Sequence, residues 1–469
     1  MKTERDPGKY KSFFLIGIGG AGMSAIATVL KGMGISVRGS DLKSSRYTEL
    51  LTAQGIEVII GHNASNLKGS DAVIYSAAIS SENEEMVRAS KMGMPLFTRG
   101  ELLAWIMNRK KGIAITGTHG KTTTTSMISM IFRGLELDPT IIVGGELNEL
   151  GTNARYGSGQ YIIAEACESD GTFLRYRPFA GVITNIEEDH MDYWKDFGAL
   201  KESFAQFIGN IKEGGFAVIN GDEIDPDFTR QAVGKKIITF GTNPSNHLIA
   251  KDINLSGFMP KYKLLINECH KSNPVKEYQV RLSVPGMHNV KNSLAALSVC
   301  YGLGLDMEKS AGILQYFTGA KRRFEKRGEK NGATIFDDYA HHPSEIKATL
   351  DAAAIEKKKS IITVFQPHRY SRLANLYNRF GDSFKNTDIL IITDVFGSNE
   401  KPIPGITGKL LVDSLIEDGY NRRLAYIPSL RDVPDYLDTL IQKDDMVIIM
   451  GAGDVTRVTD ELLKKRRLQ

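Results

Sequence analysis

Ile113-Ala114-Ile115-Thr116-Gly117-Thr118-His119-Gly120-Lys121-Thr122 sets a short apolar run against a glycine-framed turn that closes on lysine and threonine. A helix-like stretch, Thr123–Leu135, follows at once. Strand, glycine turn and helix in that order form a phosphate-binding loop. Its backbone N–H groups cradle phosphate oxygens, Lys121 neutralises them, and the Thr122 hydroxyl is available to Mg2+. The turn is shorter than the usual GxxxxGK[ST] pattern, because Ile115 stands where the first glycine would fall. The bland alternative, a capped helix with an exposed lysine, leaves the glycines without a purpose.

Working outward, a second glycine turn lies upstream. Gly17-Ile18-Gly19-Gly20-Ala21-Gly22 follows the apolar run Phe13–Ile18 and opens a helix-like segment, Met23–Lys31, and Asp41 stands at the end of the next strand. Such a turn brings backbone amides close to a pyrophosphate at a helix N-terminus. A dinucleotide with its ribose on Asp41 satisfies it, and so does any other diphosphate-bearing nucleotide; the alternative is a tight turn without a ligand. Two glycine turns on two α/β units imply two phosphate-bearing ligands. A dehydrogenase needs only the first turn, and a simple ATPase only the second.

Around these turns short β-rich runs alternate with helix-like stretches along the whole chain, which predicts α/β architecture with parallel sheets. The basic Arg109-Lys110-Lys111 and Lys321-Arg322-Arg323 mark boundaries, giving domains at 1–110, 111–320 and 321–469. The length of 469 residues suits that number. Lys+Arg 59 against Asp+Glu 55 leaves a net charge of +4 with no basic block, which disfavours nucleic acid as a partner. Cys167, Cys269 and Cys300 are scattered without a CxxC pair, which fits a reducing cytoplasm and no disulfide framework. Glycines interrupt the N-terminal apolar stretch, and no later run is long enough to span a bilayer.

In parallel sheets, ligands bind beyond the carboxyl ends of the strands. Glu165 closes the run Tyr161–Glu165, and Asn185-Ile186-Glu187-Glu188-Asp189-His190-Met191-Asp192 follows Val182–Asn185, so both should gather beside the phosphate loop. Carboxylate and hydroxyl oxygens suit Mg2+, and a histidine ligand suits Mn2+ better without excluding Mg2+. In the third domain Asp337-Asp338-Tyr339-Ala340-His341-His342-Pro343 leaves one strand and Gln366-Pro367-His368-Arg369-Tyr370-Ser371-Arg372 another. Arg369 and Arg372 suggest an anionic ligand held in a bidentate fork. The competing readings are a helix start capped by aspartates and a solvated run of arginines.

These segments together resemble the Mur ligases of bacterial cell-wall synthesis, nearest to the branch that adds L-alanine. The likeness runs through the chain in one order: GIGGAGMS at Gly17–Ser24, GTHGKTTTT at Gly117–Thr125, EACESD at Glu165–Asp170, NIEEDHMD at Asn185–Asp192, PGMHNVKN at Pro285–Asn292, GAKRRF at Gly319–Phe324, DDYAHHP at Asp337–Pro343 and FQPHRYSR at Phe365–Arg372. The resemblance implies Rossmann-like N- and C-terminal domains around a central ATPase domain. Gly17, Gly19, Gly20, Ala21, Gly22, Met23, Ser24 and Asp41 would then hold UDP-N-acetylmuramate in place of NAD. ATP would lie on Gly117, Thr118, His119, Gly120, Lys121, Thr122 and Thr123, with His288, Asn289 and Asn292 toward adenine and Arg323 toward the phosphates. Lys121, Glu165 and His190 would be catalytic, with Thr122 and Glu165 holding one Mg2+ and Glu165 and His190 a second, Mn2+ being a substitute. Tyr339, His341, His368, Arg369 and Arg372 would line the L-alanine pocket.

The chain departs from the family pattern at Cys167, where an aspartate is common, and at Lys201, which is out of register for the carbamylated lysine of some relatives. The resemblance further implies a cytoplasmic monomer or homodimer. Two other readings stay open: a ligase that recycles a whole tripeptide onto the same UDP-sugar, and a nicotinamide-dependent oxidoreductase, which would leave Lys121, Glu165 and His190 unexplained. A non-catalytic, ATP-gated binding protein would bind nucleotide without releasing phosphate.

Overall fold

The computed structural model describes residues 6–76, 78–147, 151–191, 193–224, 228, 234–267, 276–398 and 400–464. Asp192 and Cys269, named above, lie outside the described residues. The chain divides into two compact units. The first comprises Met1–Lys251, Lys263–Val280 and Lys291–Phe317, and the second Asp252–Tyr262, Arg281–Val290 and Thr318–Gln469.

The first unit opens with β1 (Ser12–Ile16), β2 (Ser36–Asp41), β3 (Glu57–Ile60), β4 (Ala72–Tyr75) and β5 (Leu96–Thr98), in the order β3-β2-β1-β4-β5. Every pairing is parallel. Alternate residues of β1 serve opposite faces: Phe13 and Leu15 enter one core, Phe14 and Ile16 another. That period of two explains why a fully buried strand reads as an unbroken apolar run.

Ten further strands form the second sheet: β6 (Lys111–Thr116), β7 (Thr140–Leu147), β8 (Thr152–Arg155), β9 (Tyr161–Glu165), β10 (Ala180–Ile183), β11 (Phe216–Asn220), β12 (Lys236–Gly241), β13 (Leu248–Asn254), β14 (Lys261–Ile266) and β15 (Lys276–Arg281). Their order is β15-β14-β13-β12-β11-β10-β6-β9-β7-β8. The sequence reading assigns no strand to β7 or β8. They form an antiparallel hairpin at the sheet edge, and the pair Gly144-Gly145 inside β7 breaks its apolar run. One hydrophobic core runs from Phe13, Ile26 and Leu102 to Ala114, Ile162, Phe173 and Phe204, so the helices of the first sheet pack on the elements of the second.

The second unit carries β16 (Glu325–Lys330), β17 (Ala333–Asp338), β18 (Ile361–Phe365), β19 (Ile389–Ile392), β20 (Arg423–Tyr426) and β21 (Met446–Met450), ordered β16-β17-β21-β18-β19-β20. Only β16 among these pairs antiparallel. Its two faces are covered separately, Phe336, Phe365 and Leu390 on one side and Ile335, Val364 and Ile391 on the other. The α/β reading therefore holds throughout.

Gly39 of β2 lies opposite Leu15 of β1, and a Cβ there would stand 2.3 Å from the Leu15 carbonyl oxygen. That oxygen belongs to the ladder and cannot step aside. Gly39→Ala is expected to cost about 1–3 kcal/mol, read by calorimetry as a lowered unfolding midpoint. An unchanged midpoint would contradict this packing.

Candidate active site

Three neighbouring parallel strands, in the order β10-β6-β9, end at one edge of the second sheet. β6 runs into Gly117–Gly120 and then into the helix Lys121–Gly134. Gly120 is left-handed at φ +79, and Gly117, at φ +123, lies so close to Thr184 that a Cβ would come within 2.2 Å of its Oγ1. The loop is pinned to the segment after β10. The His119 amide donates to Asn185 Oδ1 at 2.9 Å, and the Glu187 amide donates to Thr118 Oγ1 at 2.9 Å.

Lys121 folds back over this loop. Its Nζ donates to the Gly117 carbonyl, to the Thr118 carbonyl at 3.0 Å and to Glu168 Oε1 at 3.1 Å. Burial opposes the ammonium charge, but Glu168, Cys167 and Glu165 together outweigh it and hold the pKa above the ordinary lysine value. Glu168 is 2% exposed, and its Oε1 also faces His190 Nε2 at 3.7 Å. Its Oε2 is buried without a hydrogen-bond partner among the described residues. His190 holds a positive φ of 58°, and its ring also lies 3.5 Å from Asp189 Oδ2. Trp194 Nε1 donates to the Glu168 carbonyl at 3.1 Å, and its ring packs edge-on against Phe173 of the core. The Cys167 thiol meets Ser169 Oγ at 3.0 Å, and burial followed by the Glu168 charge pushes its pKa up.

Glu165 closes β9 and accepts from the Gly144 amide at 2.9 Å, while a Cβ on Gly145 would touch Thr122 Cγ2 at 3.6 Å. Thr122 and Glu165 thus face one glycine pair, and Lys121 and His190 share one carboxylate. Asn292 belongs here too. Its Oδ1 accepts from Thr124 Oγ1 at 3.3 Å and crowds Gly120, so this residue lies at the phosphate loop itself. Glu168 is the residue that sequence reasoning passes over. It stands inside the quoted EACESD, but spacing alone does not separate it from Glu165.

At the first glycine turn the Gly19 amide donates to Asp41 Oδ2 at 2.8 Å, so Asp41 braces the turn. Met23 and Ser24 are 1% and 3% exposed. Ser24 donates through its hydroxyl to the Ala21 carbonyl and through its amide to the Gly20 carbonyl.

In the second unit, the chains leaving β17 and β18 flank the end of β21. Asp338 accepts from the amides of Phe324 and Ala340 at 2.7 and 2.6 Å, and burial pushes its pKa up to about 6 against the pull of Arg323. The guanidinium groups of Arg322 and Arg323 both lie over the Tyr339 ring, 5.1 and 5.3 Å from its centre. The ring of His341 stands 5.6 Å from that of His368, which stacks on Phe396. Arg372, 9% exposed, places NH1 3.1 Å from His368 Nδ1. Arg369, at φ +69, donates through Nε to Glu400 Oε1 at 2.6 Å, an acid that no local pattern connects with it. His288 and Asn289 belong to this unit as well. Burial and Arg323 lower the His288 pKa to about 4, and Asn289 Nδ2 donates to the Pro285 carbonyl at 2.7 Å.

Comparison with known proteins accords with this arrangement. Residues 13–111 match the Mur ligase family catalytic domain, 115–300 the Mur ligase middle domain, and 322–453 the Mur ligase glutamate ligase domain. The chain belongs to the Mur ligase family. It is similar to the UDP-N-acetylmuramate–L-alanine ligase of Desulforamulus reducens, 43% identical with 98% of each chain covered. Among solved structures it resembles the UDP-N-acetylmuramate-alanine ligase of Thermotoga maritima at a TM-score of 0.80 and 27% identity, covering 97% of this chain and 98% of that one. The murein peptide ligase of Psychrobacter arcticus shares the fold at a TM-score of 0.71 and 22% identity, covering 96% and 98%. The family match over 13–111 overturns the oxidoreductase alternative, since the first glycine turn is that of a Mur ligase. Among the described residues, no helix is long and apolar enough to cross a membrane.

In this Mur ligase the guanidinium of Arg372 can only donate, so His368 Nδ1 must offer its lone pair and any ring proton sits on Nε2. Burial, then the nearby His341 and the arginines, push the His368 pKa down to about 3. Nitrogen-15 NMR at pH 6 is expected to show His368 neutral and protonated on Nε2. An imidazolium signal would contradict the geometry.

Proposed function

We propose that this Mur ligase joins L-alanine to the carboxylate of UDP-N-acetylmuramate with cleavage of ATP. The observation that carries the reading is Lys121, held as a cation between loop carbonyls and Glu168 at a sheet edge that also presents Thr122 and Glu165. The likeness to a ligase of that name over 98% of the chain supports it.

A carboxylate at neutral pH is a poor electrophile, because resonance spreads its charge and oxide is no leaving group. Moving the γ-phosphoryl group of ATP onto one carboxylate oxygen gives an acyl phosphate. The amine of L-alanine then adds to its carbonyl carbon, and the tetrahedral intermediate expels phosphate to leave an amide. The Gly120, Lys121 and Thr122 amides at the helix start cradle the ATP phosphates, and Lys121 stabilises charge on the group in transfer. The UDP diphosphate lies on the Gly17–Gly22 turn. Arg372, buried beside a neutral His368, holds the alanine carboxylate, and Tyr339 limits side-chain size.

The hydroxyl, carboxylate and imidazole donors suit a hard divalent cation, and the orphaned Oε2 of Glu168 marks a buried demand for positive charge beside them. Thr122, Glu165 and His190 would hold Mg2+ at two positions, where it supplies neutralisation of the phosphate oxygens.

Phosphate release from ATP is expected only when UDP-N-acetylmuramate and L-alanine are both present. Turnover without either one, or with the murein tripeptide in place of L-alanine, would overturn the assignment. Lys121→Ala is expected to lose about 3–4 kcal/mol of transition-state stabilisation, a fall in kcat of roughly 10²–10³-fold read well below an unfolding midpoint that itself falls, because the buried Glu168 carboxylate loses its partner. Unimpaired turnover would remove Lys121 from the site.

A further inference from the structure

At neutral pH the nitrogen of L-alanine is an ammonium, which has no lone pair with which to form an amide bond. One proton must leave before the nitrogen can add to an acyl phosphate. The group that takes it has to stand close to the guanidinium that holds the carboxylate, because an α-amino acid carries both groups on one carbon.

In the loops leaving β17 and β18 the candidates are Asp338, His342, His368 and His341. Asp338 is spent: its Oδ1 accepts from the Ala340 amide, and its Oδ2 from the Phe324 amide and from the Thr349 hydroxyl at 3.4 Å. His342 is buried, with Nδ1 on the Ser344 hydroxyl. His368 gives its Nδ1 lone pair to Arg372. His341 is set the opposite way. Its Nδ1 lies 3.0 Å from the Tyr339 carbonyl oxygen, which can only accept, so in the neutral ring the proton sits on Nδ1 and the lone pair on Nε2. One ring, that of His368, separates it from Arg372.

The surroundings of Nδ1 also suit a ring that gains charge. Glu345 Oε2 stands 3.4 Å from it, with the two side chains only 15% and 11% exposed. That carboxylate is fixed at the head of the helix Pro343–Ile355, where it accepts from the His341 and His342 amides at 3.1 and 3.3 Å. A carbonyl and a carboxylate behind one ring nitrogen orient the imidazole and stabilise the imidazolium that forms when the other nitrogen is protonated.

We propose that His341 is the general base of the ligation, its Nε2 taking a proton from the L-alanine ammonium while Glu345 holds the ring from behind. This rests on the reading of the second unit's pocket as the L-alanine site. The freed lone pair forms the C–N bond as the carbonyl π pair moves onto oxygen. When that pair returns, the C–O bond to phosphate breaks, and the phosphate leaves with the bonding electrons and takes up the surplus proton of the nitrogen. The imidazolium then gives its own proton to water, so the sum is amide, ADP, phosphate and one proton.

Hydroxylamine separates this base from every earlier step. It is uncharged at neutral pH, attacks acyl phosphates to give hydroxamates, and needs no base to free its lone pair. The quantity read is the rate of alanine amide formation at saturating L-alanine divided by that of hydroxamate formation at a fixed hydroxylamine concentration. His341→Asn, whose side-chain amide still donates toward the Tyr339 carbonyl but has no basic nitrogen, is expected to lower this ratio about 10²–10⁴-fold. Glu345→Gln is expected to lower it roughly tenfold, and it carries the test if the Asn variant loses its unfolding transition. An unchanged ratio, with both rates level or falling together, overturns the proposal. A raised KM for L-alanine with kcat restored at saturation overturns it as well and leaves His341 a binding group. Wild-type protein that forms hydroxamate but no alanine amide would instead sink the reading of the pocket, and one that forms neither would sink the ligase reading itself.

Discussion

The ion pair of Lys121 with Glu168 is the constraint on which the rest of the first unit's site depends. A carboxylate that is 2% exposed is tolerable only against a charge, and the ammonium that meets it is itself mostly withdrawn from water. The two ends of the pair come from the loops after β6 and β9, so satisfying the charge fixes both loops at once. The Trp194 indole holds the Glu168 carbonyl from behind, and the Phe173, Phe204 and Phe207 cluster supports that indole. His190 meets the same carboxylate from the loop after β10. Hydrophobic burial at the base of the loops is thereby converted into placement of charge at their tips.

The second unit solves a different problem, holding arginines in set directions without letting them pair away at random. Glu400 fixes Arg369 through Nε and also accepts from the Ser371 hydroxyl and amide. The segment that carries it stacks Phe396 on His368 and accepts the Arg369 amide at the Phe396 carbonyl. One strap therefore orients a ring, a guanidinium and a strained backbone residue together. Burial keeps the His368 ring neutral, so it accepts from Arg372 instead of repelling it.

Strands buried on both faces were legible in the sequence residue for residue: Tyr161–Glu165, Phe216–Asn220, Ile361–Phe365 and Met446–Met450. Each is an apolar run bounded by polar turns. The edge hairpin of β7 and β8 was not, and neither was the polar helix Arg46–Ala53, whose signal is the Ser45–Thr48 capping box and not an apolar stripe. The same division holds for the site. Lys121, Glu165 and His190 are found because each follows a readable strand end. Glu168 is distinguished from Glu165 only by burial, and Glu400 meets Arg369 across 31 positions of chain. Asn292 reaches the phosphate loop across 168. Pairings of that span are set by topology, which a local pattern does not encode.

The first unit also seals its two sheets together at glycines. Gly32 is pressed by Tyr156 and Gly100 by Thr172, in each case so tightly that a methyl group would collide, and Asn153 Nδ2 donates to the Ala21 carbonyl at the head of the first helix. Knob-in-notch contacts of this kind leave no room for sliding. The separation between the two glycine turns is consequently set by that packing, so a ligand seated at either turn would meet the other at a distance the protein fixes.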